Sequence, residues 1–251
     1  MSALGVIGGT GLSQLVYLTE VNKRVIKTPY GEPSSALTFG KLDGVDVIFM
    51  ARHGYGHTIP PHKINYQANI WALKEAGAAN IVAVTTVGSM NQTMAPGHLV
   101  LPNQLIDYTW GRCSTYFEDD LEQLVHIDFT KPYSVGLREQ MITAMMEAKV
   151  IALNEAVYAC TQGPRLETAA EIIKLRRDGC DLVGMTGMPE AALAKELKLD
   201  YACCAVVANW AAGLDGDEIN MNAIEASASE GMLKLREFLK ALVKQIKKAE
   251  S

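Results

Sequence analysis

The chain has 251 residues, 49% of them hydrophobic, and a formal charge of −5. That is enough apolar material for one large core, and no charge run, low-complexity stretch or Pro/Ser-rich linker interrupts it, so residues 1–251 read as a single domain. The acidic balance gives a nucleic acid no basic field to bind, no apolar run approaches the ~20 residues of a membrane span, and the first residues carry no charged leader pattern; a cytoplasmic protein that meets small molecules is expected.

Short β-rich runs alternate with longer helical patterns. Strands are expected at Ala3–Ile7, Val25–Lys27, Ala36–Leu42, Val45–Ala51, Ile81–Thr85, His98–Pro102, Val157–Thr161, Asp181–Gly184 and Tyr201–Ala208. Helices are expected at Asn65–Ala76, Val135–Ala148, Thr168–Asp178, Pro189–Leu197 and Ile219–Ala249, the last with an apolar stripe at Met232, Leu235, Leu239 and Leu242. This order predicts an α/β fold. Internal strands that are apolar on both faces place the sheet between layers of helix, an α/β/α sandwich, and sites in such folds gather where strand ends meet helix starts. Consecutive β runs before Asn65 and the extra strand near Leu99 predict a mixed, partly closed sheet. The five cysteines, Cys113, Cys160, Cys180, Cys203 and Cys204, show no CxxC spacing, so neither disulfides nor zinc are expected.

Several strand ends carry hydrogen-bond donors. In IGGTGL (Ile7 to Leu12) the glycines let backbone N–H groups turn toward an anion and Thr10 adds a hydroxyl. A dinucleotide fingerprint would need Gly where Gln14 stands, and the Gly-Lys-Ser/Thr of a P-loop is absent, so the loop is either an anion cradle or a structural turn. In ARHGYGH, Arg52 offers a planar fork of donors suited to phosphate and His53 a neighbouring donor. His53, His57 and His62 lack an acidic or Cys companion at helical spacing, so no metal site is predicted; His57 either touches a ligand or supports its loop. TTVGSM presents Thr85 and Thr86, and GMTGMPE presents Met185 and Thr186 before a helix opened by Pro189 and Glu190. TQGPRLETAAE ends a strand in a tight bend, with Leu166, Glu167 and the cap Thr168 at the mouth of a helix. Taken together, Thr10, Arg52, His53, Thr85 and Thr186 form a donor set able to wrap one inorganic phosphate.

Through IGGTGL, ARHG, NYQANIWALK, TTVGSM, QGPRLETAAE, GMTGMPEAALAKEL and the strand ending in Asn209, nearly the whole chain resembles the trimeric purine nucleoside and methylthioadenosine phosphorylases. The resemblance implies a sandwich around a distorted barrel-like sheet, a pentosyltransferase activity that reversibly cleaves an N-glycosidic bond, inorganic phosphate as co-substrate and no cofactor. It also implies roles. Thr10, Arg52, His53, Thr85, Thr86 and Thr186 match phosphate contacts, Met185 the sugar floor, and Leu166, Glu167 and Asn209 the base contacts, with Asn209, Arg52 and His53 closest to the chemistry. His126 matches a residue that reaches the 5′ pocket of a neighbouring subunit, which implies a homotrimer.

Members acting on 6-aminopurines carry Asp at the position of Asn209 and again two residues later, where this chain has Ala211. An amide donates to the O6 of a 6-oxopurine and accepts from N7–H, and Glu167 matches a carboxylate that accepts the N1–H of hypoxanthine. General members use a His near the C-terminal helix for the 5′-hydroxyl; this chain has no His after His126 and places Met221 and Ile224 there, residues that suit a methylthio group or plain helix packing. The expected substrate is therefore S-methyl-5′-thioinosine. The alternatives are S-methyl-5′-thioadenosine, a broad inosine/guanosine specificity, or a nucleoside-binding protein without catalysis.

Overall fold

The computed structural model describes residues 3–9, 12, 18–118, 125–151, 153–215 and 221–249. Ten strands, β1 (Ala3–Gly8), β2 (Thr19–Arg24), β3 (Leu37–Leu42), β4 (Val45–Ala51), β5 (Ala78–Ser89), β6 (Leu99–Val100), β7 (Gln104–Asp107), β8 (Val157–Cys160), β9 (Leu182–Gly184) and β10 (Asp200–Trp210), form one mixed sheet. Five α-helices flank it among the described residues: α1 (Tyr66–Glu75), α2 (Val135–Glu147), α3 (Ala169–Arg177), α4 (Glu190–Glu196) and α5 (Met221–Ala249).

The sheet runs β2-β3-β4-β1-β5-β9-β8-β7, with β10 paired to both β5 and β6. The distortion comes from the 12-residue β5. Its first half lies between β1 and β10, whereas at its end Gly88 and Ser89 pair with β9 on one side and with Asn209 and Trp210 of β10 on the other. One strand thus changes neighbours midway, and the sheet bends without closing.

Strand alternation sorts the side chains into two cores. Ile48 and Met50 of β4, Ile81 and Ala83 of β5, and Cys203 and Val207 of β10 face α1 and α4 through Ile70, Leu73 and Leu193. Val47 and Phe49, Val82 and Val84, and Cys204 and Val206 face α2 and α5 through Met141, Phe238 and Leu242. This is the α/β/α sandwich predicted above, and burying each of its Val, Leu, Ile, Phe and Met side chains contributes roughly 1.5–3 kcal/mol. A smaller cluster, Ala159, Ile172, Leu175, Val183 and Ala211, seats α3 on the outer part of the sheet. Helix starts follow their caps: Asn65 accepts from Ala68 N, Ser134 from Leu137 N, and Thr168 and Glu171 form a reciprocal capping box. All five cysteines are free thiols.

Three expectations need correction. The strand predicted at Val25–Lys27 lies instead at Thr19–Arg24, where all six residues are exposed along the edge of β3. The polar β7 was not anticipated, and the strand predicted at His98–Pro102 contracts to Leu99–Val100 because Leu101 bonds to Leu153 outside the ladder.

Candidate active site

The predicted donors lie just past the end of β4, within β5, which runs on to Ser89 and not to Thr85 as predicted, and in the turn after β9. Arg52 follows β4 and is 2% exposed. Its Nε donates to Glu190 Oε1 at 2.6 Å, Nη2 to Glu190 Oε2 at 2.9 Å, and Nη1 to the carbonyl of Val84 at 2.9 Å. Burial works against the guanidinium's charge, but the Glu190 carboxylate outweighs it and raises the pKa above its ordinary value. Tyr201 of β10 donates to the same carboxylate at 2.9 Å.

Next in the chain, His53 stands beside Gly9 of the glycine-rich loop. Its Nδ1 lies 2.8 Å from the carbonyl of Ile59. A carbonyl only accepts, so the proton sits on Nδ1 and the neutral ring presents Nε2 as an acceptor. Burial, with the nearby charges of Arg52 and His57, brings its pKa down to about 4 against the opposing Ile59 bond. The sequence reading made His53 a donor to an anion; in this neutral form it can instead take a hydrogen bond from a protonated phosphate oxygen.

Thr85 and Thr186 are both buried, and their hydroxyls meet at 3.2 Å. Thr186 is held by the turn after β9, which wraps the fully buried ring of Tyr158. A Cβ on Gly184 would come within 2.5 Å of the Tyr158 hydroxyl and one on Gly187 within 2.5 Å of the ring, and Thr186 N donates to that hydroxyl at 3.3 Å. Thr86 is exposed, on the opposite side of β5 from Thr85. Thr10 lies outside the described residues.

The residues predicted to meet a base lie on β10, which pairs with β5, and in the loop between β8 and α3. Asn209 pairs in register with Gly88, three residues beyond Thr85 on β5, which puts it about 10 Å from the hydroxyl pair along the strand. Its Nδ2 donates to the carbonyl of Trp210 at 2.7 Å, which orients the amide and leaves Oδ1 as acceptor and one N–H as donor. Glu167 accepts from the Thr161 hydroxyl at 2.7 Å, and Thr161 N bonds to Gly184 O at 2.8 Å, so the carboxylate is tied to the end of β9. Leu166 is 47% exposed. The half-buried Met185, next to Thr186 in the chain, packs its sulfur against Gly163, whose φ of 62° and lack of a Cβ permit the contact. Ala211 is buried with its Cβ against Gly88, so a methyl group, not a second acid, follows Asn209.

The proposed 5′ pocket is not assembled within one chain's described residues. His126 is exposed and Ile224 is half-buried on α5. Met221 begins α5, with its side chain outside the described residues.

Two further residues escaped sequence reasoning. Glu190 read as an acid in the first turn of a helix, yet it is fully buried against Arg52. Arg112 joins the turn after β9 to the loop after β8: Nη1 donates to the carbonyls of Met185 at 2.9 Å and Met188 at 2.6 Å, and Nη2 to that of Gln162 at 2.9 Å. A Glu inside the otherwise apolar run MPEAALA was the available signal for the first; WGRCS held none for the second. Among the described residues no group of three or more His, Cys, Asp or Glu is placed to hold a metal. Two surface clefts, of about 540 and 500 Å³, contain none of the predicted ligand contacts.

Arg52, Thr85 and Thr186 are thus buried polar groups on neighbouring strands and turns, with the Asn209 amide farther along β10 and the Glu167 carboxylate tied to the end of β9. Residues 3–244 match the model of the Phosphorylase superfamily, and the chain belongs to that family. It is 52% identical over 236 residues, 94% of this chain and 96% of the relative, to a probable S-methyl-5′-thioinosine phosphorylase of Pseudomonas syringae pv. tomato. It is 44% identical over 231 residues, covering 89% of this chain and 85% of the relative, to a 6-oxopurine nucleoside phosphorylase of Pyrococcus furiosus. Among solved structures, a methylthioadenosine phosphorylase sourced from an antarctic soil metagenomic library superposes with a TM-score of 0.93 at 34% identity, covering 100% of this chain and 88% of the other.

Proposed function

We propose that the protein catalyses phosphorolysis of S-methyl-5′-thioinosine, giving hypoxanthine and 5-methylthioribose 1-phosphate. A phosphate oxygen attacks C1′, the C1′–N9 bond breaks with its electron pair going to the purine, and the departing purine anion takes a proton from water at N7, where the Asn209 Oδ1 accepts the resulting N–H. No enzyme-bound covalent intermediate and no cofactor is required. Arg52, Thr85 and Thr186, with Thr10, the backbone of Thr86 and the acceptor nitrogen of His53, position the phosphate, so that catalysis rests on preorganised charge and proximity.

The observation that carries the choice of base is the orientation of Asn209. With Nδ2 anchored on the Trp210 carbonyl, Oδ1 is left to accept from N7–H and one N–H to donate to O6. Glu167 supplies the acceptor for N1–H, and Leu166 and Met185 line base and sugar. The buried methyl of Ala211 and the names of the relatives at 52% and 44% identity point the same way. The half-buried Ile224, with Met221 and His126 from a neighbouring copy of a homotrimer, would enclose the methylthio group. A cytoplasmic place, one catalytic domain and no nucleic acid or membrane partner complete the reading; no helix of the described residues is long and apolar enough to cross a membrane.

The test is a competition among methylthioinosine, methylthioadenosine, inosine and guanosine at fixed phosphate. The highest kcat/KM is expected on methylthioinosine. A preference for methylthioadenosine, the substrate named for the solved structure at 34% identity, would reverse the base assignment.

A further inference from the structure

We propose that Glu190, assisted by Tyr201, is the positioning residue that aims Arg52 at the attacking phosphate; this rests on the phosphorolysis reading above. Arg52 carries five N–H donors, of which three are engaged among the described residues: Nε–H and one Nη2–H on Glu190, and one Nη1–H on Val84 O. Five less three leaves one donor on Nη1 and one on Nη2. Since Glu190 takes the side fork of the guanidinium, the remaining donors belong to the distal pair of nitrogens, and Nη1 is bonded to the residue that immediately precedes Thr85. Planarity then fixes their direction: with three bonds holding the group, it cannot swing.

Both anchors are built for rigidity. Glu190 is 0% exposed and Tyr201 2% exposed. Glu190 sits at the first position of α4, one helix start away from Thr186 in the same GMTGMPE run, so the turn that presents the hydroxyl also presents the carboxylate. Tyr201 reaches Oε2 from β10, the strand that carries Asn209 near its end, and its ring stacks on Tyr133 at 6.2 Å. Burial and the adjacent carboxylate keep the Tyr201 hydroxyl protonated, as a donor. A pair whose charges cancel adds little net attraction for a dianion, so what Glu190 supplies is direction.

That distinction is measurable. If Glu190 were only a counter-charge, Glu190→Gln would leave Arg52 with unbalanced positive charge and phosphate would bind more tightly. A positioning role predicts the opposite: KM for phosphate rising about 10- to 100-fold, with KM for the nucleoside unchanged. Tyr201→Phe keeps the ion pair and removes one donor, so phosphate KM should rise about 3- to 10-fold with the same selectivity. Titration calorimetry with inorganic phosphate alone should weaken in parallel. Should Glu190→Gln fail to fold, Tyr201→Phe decides: a phosphate-selective rise supports the proposal, and an unchanged phosphate KM overturns it, as does tighter phosphate binding in Glu190→Gln. Failure of the underlying reading looks different, because the unaltered protein would then release no free purine when phosphate is added.

Discussion

The two ends of the site are built from different material. At the proposed phosphate end, Arg52, Thr85, Thr186 and Glu190 are all under 9% exposed and are bonded to one another or to strand backbone. At the proposed base end, Leu166 is 47% exposed and Glu167 rides on a loop whose further tie is an exposed bidentate pair, Arg165 to Glu171 at 2.7 and 2.8 Å. Exposed pairs of that kind, screened by solvent, add little to stability. On the proposed roles, the chemistry is set into the core, where altering it alters the fold, whereas substrate choice rides on strand tips and loops, where a side chain can change at little structural cost. Relatives named for 6-oxopurine and 6-aminopurine substrates sharing one fold at 34–52% identity fit that division.

The sharpest way to break the comparison is Arg52→Ala. It should cost both stability and activity: about 3–5 kcal/mol of unfolding free energy, because the Glu190 carboxylate is left buried without its partner, and at least about 10²-fold in kcat/KM. Urea unfolding alongside steady-state kinetics reads both. A variant that lost activity with unchanged stability would mean that the anion end is not part of the core.

Asn209→Asp tests the other end and should separate the two quantities. Stability should change little, since the amide is half-buried and among the described residues its side chain bonds to the neighbouring carbonyl of Trp210. Against a 6-oxopurine the carboxylate sets acceptor against acceptor, so kcat/KM on methylthioinosine should fall about 10- to 100-fold while the ratio of methylthioadenosine to methylthioinosine turnover rises. Equal losses on both substrates would remove Asn209 from base recognition.

The same division explains what could be seen in the sequence. β4 was legible to the residue and β10 nearly so, because both of their faces are buried and the apolar run marks them. β2, with TEVNKR exposed at every position, carries no such mark; only its pairing with β3 makes it a strand. In the site, hydroxyl and guanidinium groups at the ends of apolar runs announced themselves. The Arg52–Glu190 bond did not, since it joins residues 138 positions apart and neither local pattern requires the other. Arg112 was invisible for a related reason: its shortest bonds go to backbone carbonyls, which leave no trace in residue identity, and its two side-chain acceptors, Gln162 and Tyr66, lie 50 and 46 positions away.

His53 gives the smallest effect and links the two ends' logic to pH. Its folded-state pKa near 4 lies below the ordinary 6.5, so the unfolded chain binds more protons between those values and stability rises with pH across that window. The contribution is fully present above about 6.5 and is lost as pH falls toward 4. His53→Gln should therefore flatten the decline in urea midpoint between pH 6.5 and 4.5 relative to the unaltered protein, the other histidines cancelling in the difference. A bound anion favours the charged imidazole, so inorganic phosphate should move the His53 titration upward when followed by proton NMR of the ring. A titration near 4 that ignores phosphate would separate His53 from the anion site and leave Arg52 and the two threonines to hold it.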